Sequence, residues 1–141
     1  VNRADIAWLA SRPAVVEAVA RVGGDPYAVV DAYRTAETLM EAAGLGDWKL
    51  RVGTASLQSG SVWFNCVPGT RLWDGKPGRL TLSGPLMSVW TPAQRQATIL
   101  HEIAHALCPD DGHGRIWRDW CRRFGIKPSR LWGEDGERRI A

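Results

Sequence analysis

The sequence predicts one α+β domain: helices at the N-terminal end, a small and mainly antiparallel sheet of three strands, and a buried helix followed by a second one. Three observations carry this. Apolar residues recur at helical spacing up to about residue 45. Residues 48–83 alternate in polarity or run in β-forming types, punctuated by Gly, Pro and Asp. From Thr91 a capped, strongly apolar helical pattern runs to Pro109, and an amphipathic stretch follows. A chain of 141 residues fits a single domain spanning 1–141, with its core over about 27–126 and a tail over 127–141.

Each element has a local reason. "RPAVVEAVARVGG" places Val15, Val16, Val19 and Val22 on one helical side, and Gly23-Gly24 stops it. "DPYAVVDAYRTAETLMEAAGLG" begins with Asp25 as N-cap and Pro26 at the first helical position. Its apolar stripe is Val29, Val30, Tyr33, Ala36 and Met40, and Gly44 and Gly46 end it. "WKLRV" alternates Trp48, Leu50 and Val52 against Lys49 and Arg51, as a half-buried strand does. "SVWFNCV" is rich in β-formers and reads as a strand buried on both faces. "PGTRLWDGKPG" is turn chemistry, and "RLTLSG" is a strand with Leu80 and Leu82 inward. In "TPAQRQATILHEIAHALCP", Thr91 and Gln94 make a capping box, Pro92 sits at the first helical position, and Pro109 ends the helix. Ile99, Leu100, Ile103, Ala104 and Leu107 make this helix mostly apolar, hence buried. "DDGHG" is a loop. "GRIWRDWCRRFG" is a helix with Trp117, Trp120, Cys121 and Phe124 on one face, and Gly125 stops it. The tail is polar, with Leu131 and Trp132 as candidate anchors.

Composition narrows the function classes. At 45% hydrophobic and 23% charged, the chain has the make-up of a folded globular protein rather than a disordered one. A net charge of +3 is too small to mark a nucleic-acid binder by itself. No apolar run approaches the ~18 residues of a membrane span. Arg3, Asp5, Arg12, Glu17 and Arg21 interrupt the N-terminal stretch, so no signal-peptide core is expected. Three cysteines with no C-x-x-C pair argue against a cysteine zinc ribbon and for a reducing compartment: the cytoplasm, or a host cytoplasm if the gene is a phage's. The eight tryptophans are expected mostly in the core.

The chemistry concentrates in "HEIAHALCPDDGHGRIW", residues 101–117, which holds all three histidines of the chain. "HEIAH" is an H-E-x-x-H pattern. Positions i and i+4 share one helix face, so His101 and His105 can offer imidazole nitrogens to one ion. Glu102 beside them can reach a water on that ion. Zinc suits neutral imidazoles and leaves a position for water in a three-ligand site. The bland alternative is two surface histidines and a solvated glutamate. It fits poorly with so apolar a helix, where such groups are costly without partners. A third ligand has to come from outside the helix, because Cys108 lies about 10 Å of rise beyond His101. His113 leads: it follows the Pro109–Gly112 loop, flanked by Gly112 and Gly114, which permit a tight return of the chain. Asp110, Asp111 and Asp119 are the alternatives, with Cys108, Glu134 and Glu137 more remote.

"HEIAHAL…GHGRIWRDWCRRFGI" resembles the SprT-like family of zinc metallopeptidases, which shares its catalytic domain with Spartan. "WKLRV" and "GRLTLSGPL" resemble that family's strands ahead of its active helix, and the likeness spans about residues 27–126. It implies a zincin-like fold, Zn2+ held by His101, His105 and His113, and Glu102 as catalytic base. The implied activity is an endopeptidase that hydrolyses peptide bonds with metal-activated water, with protein or peptide substrates that include DNA-associated proteins. The sequence departs from the family in two places. Only seven residues separate His105 from His113, and no cysteine follows Cys121, so a ribbon-dependent role does not carry over.

Arg115, Arg118 and Arg122 recur along one face of the last helix, with Arg123 adjacent. They are either its solvated face or a stripe that touches nucleic-acid phosphates weakly. The competing functional reading is a non-catalytic, zinc-stabilised module that binds DNA or protein. It needs a fourth protein ligand from Asp110, Asp111 or Cys108 to close the metal shell.

Overall fold

The computed structural model describes residues 1–128. Leu131, Trp132, Glu134 and Glu137 lie outside the described residues. Side-chain caps start the first and third helices, and Pro13 starts the second. In α1 (Arg3–Ala10) Asn2 and Asp5 form a reciprocal capping box. α2 (Pro13–Arg21) buries Val15, Ala18 and Val19 and gives way to Gly23, whose φ of 71° reverses the chain. α3 (Pro26–Ala42) starts as its sequence requires: the Asp25 carboxylate accepts the Tyr27 N–H at 3.0 Å. Its buried side is Val29, Val30, Ala32, Ala36 and Met40.

Three strands follow: β1 (Lys49–Gly53), β2 (Gly60–Trp63) and β3 (Arg79–Ser83), in the spatial order β1-β3-β2. β3 is central, and its Leu80 and Leu82 are fully buried. The sheet is mixed, which corrects the mainly antiparallel expectation. β2 runs antiparallel to β3, but β1 pairs with β3 in parallel, Leu50 opposite Leu80. The physical reason is the path of residues 54–59. They look like a hairpin turn, yet they carry the chain past the position that β3 later fills. Ser83, at the end of β3, ties this segment down: its N–H donates to the Ser59 carbonyl and its hydroxyl to the Ala55 carbonyl. A second correction concerns "SVWFNCV". It is not buried on both faces, because β2 is an edge strand. Trp63 is 52% exposed, and Cys66 and Val67 are exposed as well.

The chain then makes a helix that the sequence hides. In α4 (Gly84–Val89) the Ser83 hydroxyl accepts the Leu86 N–H at 3.1 Å, and residues Gly84–Ser88 are all buried. α5 (Pro92–Leu107) has the expected Thr91/Gln94 capping box. Arg95 fastens it to the preceding segment and to α3, donating to the Trp90 carbonyl at 2.7 Å and to Asp31 at 3.1 Å. A 3-10 turn (Pro109–Asp111) leads to α6 (Arg115–Arg123), which packs Trp117 and Cys121 against Ala104 and Cys108. The main core joins α3, β3, α4 and α5 through residues such as Met40, Leu80, Leu82, Met87, Ile99 and Ile103. The result is a mixed α+β domain with six helices and one three-stranded sheet among the described residues. No helix among them is long and apolar enough to cross a membrane.

Candidate metal centre

α5 does two jobs with two faces. Ile99, Ile103 and Ala106 face the core. Thr98, His101, Glu102 and His105 line the wall of a cleft of about 360 Å³ whose opposite wall is Ser59–Val62 with Phe64. Pro109 and His113 close one end. The 3-10 turn explains how His113 gets there. Pro109 stops α5, and Gly112 has φ 61° and ψ −121°, a left-handed conformation that turns the chain back.

His101, His105 and His113 each offer a ligand nitrogen, and these nitrogens lie within 4.8 Å of one another. The three residues could hold a metal ion. The electrostatics suit a cation. Burial, then the neighbouring His113, lowers the His101 pKa to about 4. Burial, followed by His101 and His113, lowers His105 to about 3, against the pull of a backbone hydrogen bond with Gly112. Both imidazoles are therefore neutral at neutral pH, the form that ligates metals. Glu102 is 5% exposed, and burial pushes its carboxyl up to about 8. A cation held beside it would favour the carboxylate form. Glu102 Oε1 stands 3.9 Å from His101 Nε2, so the acid borders the triad without blocking it.

The alternative ligands are otherwise engaged. Asp111 caps α6 from outside the helix, accepting the Trp117 N–H at 2.9 Å. Asp110 accepts the Trp73 N–H at 3.1 Å and so tethers the 64–78 segment. Asp119 is exposed and pairs with Arg122 at 3.1 Å and Arg115 at 3.9 Å. Cys108 donates to the Ala104 carbonyl, and burial, with Asp111 next, pushes its thiol up to about 12.

Two residues of the site escaped the sequence reading. Trp117 reads as core, and it is fully buried. It is also the floor of the triad. Its ring centroid lies 5.1 Å from that of His101, 5.0 Å from His105 and 4.7 Å from His113, stacked on His105 and edge-on to the others. Gly60 is the second. A Cβ there would meet Glu102 Cγ at 2.9 Å and the Thr81 carbonyl at 3.0 Å. Its missing side chain is the space that the glutamate occupies. The spacing of Trp117 from His113 was a usable signal; nothing near Gly60 in the sequence points to residue 102.

The four arginines do not reach the cleft. Arg115, Arg118, Arg122 and Arg123 are exposed on α6, where Asp119 pairs with two of them and Arg123 lies over the Trp120 ring.

The SprT-like family model matches residues 33–131, most of the chain, and the chain belongs to that family. No curated protein and no solved structure is similar enough to count as a match.

Proposed function

We propose that this SprT-like chain is a zinc-dependent endopeptidase with a zincin-like site. One observation carries the reading: three imidazoles converge beside a buried glutamate in an open cleft, within a chain of this family. His101, His105 and His113 would hold the zinc. The ion supplies Lewis acidity, polarising the scissile carbonyl and lowering the pKa of water towards about 7. The rest is the work of the chain's own residues. Glu102 accepts the proton of the attacking water at its carboxylate and delivers it to the leaving amine. Gly60 leaves the room in which that carboxylate stands. Trp117 holds the three rings in one arrangement from below and keeps water from that side. β2 pairs with β3 alone, so its outer backbone edge is open beside the cleft, where an extended peptide can add to it.

The all-imidazole donor set favours zinc over hard cations such as magnesium or calcium, and three histidines with an open position are a catalytic zinc arrangement. A purely structural site would need a fourth protein ligand. Among the described residues no acidic or thiol group joins the triad, and this favours catalysis over the binding-module reading. The α6 arginines are the one feature that would favour DNA-associated substrates, but Asp119 pairs with two of them and the face reads as the solvated side of an amphipathic helix.

Glu102→Gln tests the assignment. The variant is expected to keep stoichiometric zinc and its melting temperature while peptide cleavage falls by about 10²–10⁴-fold. Cleavage at the parental rate would remove Glu102 from the mechanism.

A further inference from the structure

Thr98 is a cleft residue on the same helix as the acid and two histidines, and the reading above leaves its polar group idle. It precedes His101 by three positions and Glu102 by four, so it shares their helix face. It is 2% exposed, and its hydroxyl oxygen is buried without a hydrogen-bond partner. A helical threonine commonly returns its hydroxyl to the carbonyl one turn back; this one does not. Four other side chains among the described residues carry a buried polar atom without such a bond: Asp5, Trp8, Arg79 and Trp117. Trp117 lies beneath the triad and the other three stand away from the cleft, whereas Thr98 lines it. A valine would fill the same space without leaving a buried hydroxyl unmatched.

We propose that Thr98 selects the substrate: its hydroxyl hydrogen-bonds a hydroxyl or amide carried by the substrate side chain that lodges beside Glu102. The inference rests on the peptidase reading and deepens it. The hydroxyl oxygen is closed to solvent, so a backbone lying along β2 does not touch it, and a side chain entering the cleft meets it only when the threonine turns about χ1. A helical threonine has two accessible χ1 positions, which let the hydroxyl turn towards that group. Val62 and Phe64 line the same cleft and supply apolar contact for the body of the incoming residue. The matching side chain therefore has an apolar stem and a short hydrogen-bonding tip, as Thr, Ser and Asn have.

The test is selectivity. Zinc-loaded protein is given peptides that differ only by Thr against Val, or Asn against Leu, at each position flanking the cleaved bond. The wild type is expected to favour the polar member at one position by about tenfold, the scale of one hydrogen bond. Thr98→Val should erase that preference, and Thr98→Ser should keep it. In metal-free protein, Thr98→Val should also melt higher, by roughly 3 °C, because an unmatched hydroxyl has gone. A wild-type preference retained in Thr98→Val, no preference in the wild type, or a lower melting temperature for Thr98→Val would each overturn the proposal. If zinc-loaded wild type cleaves no peptide, the peptidase reading itself falls. Cleavage with selectivity untouched by the substitution sinks the Thr98 role alone.

Discussion

The two sides of the cleft are built in different ways. The helical side, α5 and α6 with the turn between them, presents side chains: His101, Glu102, His105 and His113 above Trp117. The strand side, β2, contributes space and backbone: a glycine where a Cβ would strike Glu102, and an edge with no strand beyond it. One side holds the chemistry, and the other shapes where it can occur. The difference teaches that a residue can matter to a site through what it lacks, and such a residue carries no mark of its own in a sequence.

The comparison can be broken from either side. Trp117→Ala should have the largest effect. It empties a fully buried aromatic site in contact with all three histidines, and is expected to cost about 3–5 kcal/mol of stability, read by denaturant unfolding. Trp117→Phe, which keeps a ring there, should fold and lose zinc affinity by roughly tenfold in a chelator titration. Unchanged zinc affinity would make Trp117 a packing residue only.

Gly60→Ala attacks the strand side. The new methyl group cannot avoid both Glu102 and the Thr81 carbonyl, so the carboxylate must shift. A displacement of this kind costs on the order of 10²-fold in cleavage. Zinc content should stay at the wild-type level, since the histidines are on the other wall. Loss of zinc would show that β2 supports the triad as well as the acid, and the division between the two sides would fail.

Asp111→Ala sharpens the helical side. It removes the cap on Trp117 N and loosens the turn that carries His113. The expected loss is about 1 kcal/mol in thermal unfolding. The smallest effect is expected on the outer face of α6. An Arg115/Arg118/Arg122 triple alanine variant should cleave free peptide within about twofold of the wild type, as exposed substitutions do. DNA binding measured by anisotropy across a salt series should also be unchanged. A clear loss would instead assign that face to phosphate contact.

The helical side was legible because its signals are local. Thr91 and Gln94 sit three residues apart, His101 and His105 four apart, and Asp25 directly precedes Pro26. Helices obey such spacings whatever surrounds them, and the structure has all three features. The strand side was not legible, because it depends on pairing between distant segments. Nothing in "TASLQS" distinguishes a hairpin turn from a segment that passes beyond the later β3, so the parallel β1-β3 pair was missed. "SVWFNCV" has the β-formers of a central strand, but its position at the edge is decided by where β3 inserts. α4 was hidden for another reason. Gly84-Pro85 reads as a breaker, yet Pro is well suited to the first turn of a helix once Ser83 caps it.

The most direct measurement is metal content by mass spectrometry on the purified wild type and on His113→Ala. The account predicts close to one zinc per chain in the wild type and its near-complete loss in the variant, with the fold retained by circular dichroism. Zinc retained by His113→Ala, or a wild type that takes up none when zinc is supplied, would contradict it.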